Sequence, residues 1–191
     1  MKFLSKNNTS EIFINELVYR SKKDNSSLNL KLLIEQKNFC AYTEKYIQGN
    51  DSTEVEHFNP SLKESDDYYN YYAAVTTANK YKKYKGASFF ENLFFQNEVE
   101  LKKRISFSNN IFFEIDEADI EARDFIDFLG LNHPKLYEER SSHVLIMKSC
   151  FSSPDYTIEK IKEHFILYKS HLSFITALNA AFNYDFMELL N

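Results

Sequence analysis

Apolar and polar positions alternate along this chain in a way that predicts helices at both ends and short strands between them. Behind Ser10 and Glu11, the apolar residues Ile12, Phe13, Leu17 and Val18 approximate one helical stripe, which predicts a helix through IFINELVYR. After the polar turn KKDNSS, a second helix is expected from Leu28 to Gln36. The stretch from Asn70 to Val75 is short and rich in Tyr, Ala and Val, as a strand would be, and Thr77 to Lys85 reads as a helix that Thr76 or Thr77 could cap. Gly86 is a good terminator for that helix, and Phe89, Phe90, Phe94 and Phe95 beyond it have the look of a core staple. Between Glu98 and Glu114 the alternation suggests a β-hairpin, KRISFS and IFFEI, turning at Asn109 and Asn110.

The remainder is helical in pattern. An acidic helix starts at Asp116, buries Ile120, Phe125, Ile126, Phe128 and Leu129, and stops at Gly130; its acids Asp119, Glu121, Asp124 and Asp127 read as a solvated face. A further helix runs from about Lys135 to Cys150, and Thr157 to Leu190 forms one or two more, with Asn183-Tyr184 as a kink. His143, His164 and His171 fall singly on these helices and read as surface or satisfied core residues.

Composition narrows the class. Only 3 Gly and 3 Pro in 191 residues argue against a sandwich or barrel, so the expectation is an α-rich α+β fold. A hydrophobic fraction of 43% with 27% charged residues is that of a globular protein with a substantial interior. We expect one packed unit with three parts: an N-terminal helical segment (1–37), a compact core (38–86), and a hairpin with C-terminal helices (87–191). Cys40 and Cys150 form neither a disulfide framework nor a metal pair; no signal-like run or membrane-length apolar segment stands out, and a cytoplasmic location is expected, away from membranes. The formal net charge of -5 is the wrong sign for gripping nucleic acid over a wide surface. Positive charge is local, at Lys80, Lys82, Lys83 and Lys85 and again at Lys102, Lys103 and Arg104, so a partner that delivers or grips a substrate is expected.

Candidate chemistry lies between Glu54 and Lys85. Glu56 and His57 are adjacent, Pro60 closes their segment, and Asn70 and Asn79 follow at intervals before a run of lysines. A one-metal phosphodiesterase needs a general base, a hard divalent cation and a group to hold phosphate. His57 can be the base and Glu56 a metal ligand. Neighbours on a strand point to opposite faces, so the two can address water and metal separately only where the strand ends, and Phe58, Asn59 and Pro60 supply that end. In the first turn of the next helix the Asn79 amide could face the same cation, with Lys82 three residues on toward a phosphate.

This order of Glu-His, Asn, Asn and Lys on strand, loop, strand and helix resembles the HNH, or ββα-metal, nucleases. The resemblance implies His57 as base, Glu56 and Asn79 as ligands of one Mg²⁺ or Mn²⁺, and Asn70 as the residue orienting the loop that carries His57. Lys82, with Lys80, would hold substrate phosphate. Upstream, FCAYTEKYI at Phe39 to Ile47 is similar to the knuckle of the zinc-containing branch, whose structural Zn²⁺ is bound by two Cys-x-x-Cys pairs. Here the corresponding positions are Cys40, Thr43, Val75 and Ala78, so three thiolates are missing and apolar packing without a structural zinc is expected. Downstream, Ile115 to Arg140, with Leu-Gly-Leu-Asn and a later Leu and Arg, resembles the region after the HNH core in nuclease subunits of retron and Septu-type antiphage systems. That implies a DNA-cleaving effector working with an ATPase partner. Two other readings stay open: a degenerate HNH fold kept as a binding or assembly subunit, and an RNA (tRNA) nuclease.

Overall fold

The computed structural model describes residues 4–62, 67–82 and 97–190, with the side chain of Asn79 excepted. The expected Phe89, Phe90, Phe94 and Phe95 staple, and Lys83, Lys85 and Gly86, lie outside these residues. The fold is α+β, about half helical, with two small two-stranded antiparallel sheets. Among the described residues no helix is long and apolar enough to cross a membrane.

The first helix, α1 (Glu11–Ile14), is a single turn capped by the Ser10 side chain on the Ile12 amide. It does not continue to Arg20 as the apolar stripe suggested. Glu16 turns into the left-handed region at φ 49°, and the Leu17 amide reaches back to the Ile12 carbonyl, closing the end. Helix α2 (Ser26–Glu35) lies close to the expected second helix. Strand β1 (Thr53–His57) pairs antiparallel with β2 (Tyr71–Val75), from Thr53 opposite Val75 to His57 opposite Tyr71, and α3 (Thr76–Tyr81) leaves β2 directly. Neither Thr76 nor Thr77 caps α3; Val75 stands at the cap position without a side-chain bond.

Residues 98–104, expected as part of the hairpin, form instead a helix, α4 (Glu98–Arg104), capped by Asn97 on the Val99 and Glu100 amides. Glu98 and Glu100 in its first turn and Lys102, Lys103 and Arg104 in its last suit the helix dipole. The hairpin proper is β3 (Ile105–Ser108) with β4 (Ile111–Glu114), and its turn residues Asn109 and Asn110 take φ 50° and 63°, as a two-residue turn of the primed type requires. It forms a sheet of its own.

Helix α5 (Ile120–Leu129) begins four residues later than expected, because Asp119 caps it on the Ala122 amide. Gly130 ends it at φ 63°, and a Cβ there would meet the Tyr81 carbonyl oxygen at 2.4 Å. Glycine is therefore needed twice, for the turn and for the close approach of α5 to the end of α3. Helix α6 (Pro134–Cys150) matches its expected span. The C-terminal region is more broken than expected: α7 (Ile158–Leu167), a 3-10 turn at Lys169–Leu172, α8 (Ile175–Phe182) and a 3-10 turn at Phe186–Leu190, with Phe174 and Asn183 both at positive φ.

The β1–β2 ribbon is covered on both faces. Tyr72 and Ala74 join Cys40, Tyr42, Ile47, Leu101, Phe112 and the apolar side of α5 in the largest core, while Val55, Tyr71 and Ala73 join Ile12, Leu28 and Leu32 on the other side. A third core, built on Phe39, Met147, Phe165, Ile175 and Phe186, binds the C-terminal helices to the 39–47 knuckle. Glu44 reinforces that contact: its carboxylate accepts the Thr176 amide (3.1 Å) and hydroxyl (2.6 Å) at the start of α8, and its carbonyl accepts the Phe174 amide at 2.8 Å.

Candidate active site

Glu56 and His57 close β1, and their side chains leave the ribbon on opposite faces, as strand alternation dictates. His57 lies with Tyr71 and Ala73 on the α2 side. Its ring packs edge-on against Tyr19 (centroids 4.6 Å apart) and Tyr71 (5.5 Å), leaving the residue 7% exposed. Tyr19 is held over it by its own amide, which donates to the Tyr71 hydroxyl at 3.2 Å.

Past His57 the chain turns at Phe58 and Asn59 into the 3-10 turn Pro60–Leu62. Asn70 holds that turn. The Asn59 amide donates to Asn70 Oδ1 at 2.7 Å, Asn70 Nδ2 donates to the Asn59 carbonyl at 3.0 Å, and the Phe58 amide donates to the Asn70 carbonyl at 2.9 Å. The side chain thus takes the place of a ladder partner for one residue, two positions after His57. Asn70 is 1% exposed, so its polar atoms could be buried only with these bonds in place.

Glu56 lies on the other face, opposite Tyr72. Lys82 was expected on α3, on the face of Asn79 and toward a phosphate. The helix ends at Tyr81, and Lys82 is extended at φ -66° and ψ 120°. Its ammonium turns inward, donating to Glu56 Oε2 at 3.0 Å and to the His57 carbonyl at 2.6 Å, between the rings of Tyr42 (5.4 Å) and Phe128 (5.3 Å). Both partners are well buried, with side chains 7% (Lys82) and 12% (Glu56) exposed. Burial draws the Lys82 pKa below the ordinary lysine value, and the Glu56 charge opposes that shift. Beside them the fully buried Tyr42 hydroxyl has no hydrogen-bond partner among the described residues, and burial and then the nearby Glu56 charge push its pKa well up.

Lys80 is exposed near the end of α3, and Asn79 occupies the same short helix. The structure therefore brings Glu56, His57, Asn70 and Lys82 to one end of the β1–β2–α3 unit. Among the described residues no three His, Cys, Asp or Glu side chains converge as a metal cage. A Mg²⁺ or Mn²⁺ ion does not need one: such ions are held by one or two protein oxygens, with water and substrate phosphate completing the shell. The Glu56 carboxylate suits that chemistry, since it already faces a cation and an unpartnered buried oxygen stands beside it. At the knuckle, Cys40, Val75 and Ala78 pack in one apolar cluster, and Thr43 Oγ1 accepts the Lys45 amide.

Two expectations elsewhere need correction. The three histidines do not stand singly: the turn at Lys169–Leu172 folds His171 back so that its Nδ1 lies 2.8 Å from His164 Nε2, while His143 Nε2 lies 2.9 Å from the His171 carbonyl. Asp119 and Glu121 are not merely solvated, for both bind Arg104, Asp119 through two bonds of 2.7 Å and Glu121 through one of 2.6 Å. In the sequence Glu44, Asn132 and Arg140 figure only as members of the two resembling segments, and their joining of distant parts of the chain is seen first in the structure.

No family model matches the chain, and neither a curated protein nor a solved structure matches it.

Proposed function

We propose that this protein is a metal-dependent endonuclease of the HNH type that hydrolyses phosphodiester bonds in DNA, as the effector of a bacterial antiphage system working with an ATPase partner. The observation that carries the reading is the placing of Glu56 and His57, on opposite faces, at the one strand end that Asn70 clamps, with a cation seated on Glu56. The defence role and the partner rest on the resemblance at Ile115 to Arg140. In this reading His57 takes the proton from the attacking water, and Asn70 fixes the loop that positions it. Glu56, with Asn79 from α3, would hold the ion, which when bound supplies positive charge to the leaving oxygen. Lys80, and Lys82 once it is free of Glu56, would hold the phosphate.

A second reading, a binding or assembly subunit of degenerate HNH fold, is favoured by the cover of Tyr19 and Tyr71 on His57 and by the Lys82–Glu56 ion pair. Mn²⁺-dependent digestion of matched DNA and RNA, single- and double-stranded, by wild type and His57→Ala, with and without the ATPase, separates the readings. The nuclease reading expects DNA cleavage that falls by roughly 10²-fold or more in the variant. Cleavage of RNA alone would reassign the substrate, and a folded, partner-bound wild type that cuts neither would favour the assembly subunit.

A further inference from the structure

The Lys82 ammonium is the cation already seated on the Glu56 carboxylate. Its nitrogen is 3.0 Å from the carboxylate and 2.6 Å from the His57 carbonyl, and the Tyr42 and Phe128 rings wall the space around it. An ammonium and a metal ion on the same buried carboxylate compete: a Mg²⁺–oxygen bond is about 2.1 Å long, and two cations brought that close in a desolvated space repel strongly. Lysine is also the cation suited to leaving. It is a single point charge on a flexible stem, unlike the guanidinium fork of arginine, and here it sits just beyond the end of a short helix, not within it.

We infer that Lys82 is the resident cation of the Glu56 site, displaced when a divalent metal binds and thereby released to engage the substrate phosphate. This rests on the nuclease reading of Glu56 and adds regulation to it. Without metal, Lys82 neutralises the buried carboxylate and keeps the site closed. With metal, Glu56 receives a stronger counter-ion, and the freed lysine supplies a positive charge beside the ion, where a phosphate would arrive. Metal binding and phosphate binding are thus coupled through one side chain, which bears on how an acidic protein can hold a polyanion in a single small region.

The test uses the full-length, ¹⁵N-labelled chain. The side-chain ammonium signals are followed during a Mg²⁺ titration, with calorimetry of Mg²⁺ binding to wild type, Glu56→Gln and Lys82→Met in parallel. One slowly exchanging ammonium signal, absent from Lys82→Met, is expected to disappear in proportion to bound Mg²⁺. Lys82→Met is expected to bind the ion roughly tenfold more tightly, and Glu56→Gln to lose the binding. Should Lys82→Met fail to fold, Lys82→Arg assigns the signal. A signal that persists while Mg²⁺ saturates a Glu56-dependent site overturns the displacement and leaves the metal site standing. No Mg²⁺ binding in wild type, or binding unchanged in Glu56→Gln, overturns the reading of Glu56 itself and the displacement with it.

Discussion

Each of the two β-ribbons carries a buried cation and a side-chain amide clamped on a neighbouring backbone, yet they use these parts differently. On the β3–β4 ribbon the cation is Arg140, 1% exposed, which donates to Asn110 Oδ1 (2.7 Å), the Asn110 carbonyl (2.6 Å) and the Leu131 carbonyl (3.1 Å) and lies over the rings of Phe107 and Phe112. Those acceptors are neutral, and the fork fixes the hairpin turn to the start of α6 through three elements at once. Asn132 completes that arrangement by accepting the Phe112 amide at 2.9 Å and donating to its carbonyl at 2.7 Å. On the β1–β2 ribbon the cation is Lys82, held by a carboxylate and one carbonyl, and the amide is Asn70 on Asn59. A planar cation in a cage of neutral oxygens has no competitor for its place. A lysine on a buried carboxylate does, because the carboxylate also suits a divalent cation. The β3–β4 ribbon is built as a staple, and the β1–β2 ribbon, on the inference above, holds an exchangeable cation.

Removing the staple should have the largest effect. Arg140→Met strips three hydrogen bonds from a buried site, and we expect a loss of about 3 kcal/mol or more in urea unfolding, since bonds to charged groups are worth about 1.5–3 kcal/mol each and act here together. Its effect on Mg²⁺ binding, in preparations that remain folded, should be small. Next comes Asn70→Ala, which leaves the Asn59 amide without its partner and the Asn59 carbonyl with the Leu62 amide alone. We expect about 2 kcal/mol of destabilisation and, on the nuclease reading, cleavage reduced as severely as by His57→Ala. Equal destabilisation with unaltered cleavage would make Asn70 structural only, like Asn132.

A smaller effect is expected at the edge of the site. Tyr19→Ala uncovers His57 without touching the ribbon hydrogen bonds, so carbethoxylation of His57 should speed up several-fold with little change in stability. No change would mean that Tyr71 and the ribbon, not Tyr19, limit access. The smallest effect concerns pH. Burial, followed by the proximity of His171, holds His164 below the ordinary histidine value of 6.5, and burial likewise lowers His143. Their neutral forms are favoured by folding, so the unfolded chain binds more protons below about pH 6.5. Stability should be intact above that value and fall as the pH drops toward the lowered folded values, and His143→Gln should flatten the decline in melting temperature.

Much of this framework could be read from residue order, and the failures share a cause. The strand end at Phe58–Pro60, the Asn109–Asn110 turn and the Gly130 stop are local signals, each set by backbone preference. The Glu98–Arg104 helix was also legible, through Asn97 as its cap and the acid-to-base order of its charges, but the hairpin alternation just beyond it drew that segment into the wrong period. What could not be read is long-range. The apolar stripe after Ser10 gave no notice that Glu16 would reverse the chain. Lys82 reads as a phosphate-binding lysine on a basic helix because nothing local reveals that Glu56, 26 residues earlier, needs a counter-ion. Glu44 and Arg140 gave no sign either that the knuckle caps α8 or that a charged side chain would be fully buried. Of the candidate site, the residue types and their order were legible; the closure of Lys82 onto Glu56 and the cover over His57 belong to the fold.

The contrast between the ribbons is tested most directly by adding Mn²⁺ to ¹⁵N-labelled protein and mapping the paramagnetic broadening of backbone amides. The account predicts broadening strongest at Glu56, His57, Asn70 and Asn79, abolished in Glu56→Gln, with the amides of Asn110, Phe112 and Asn132 much less affected. Broadening centred on the Arg140 ribbon, on the His164–His171 pair, or nowhere at all would contradict it.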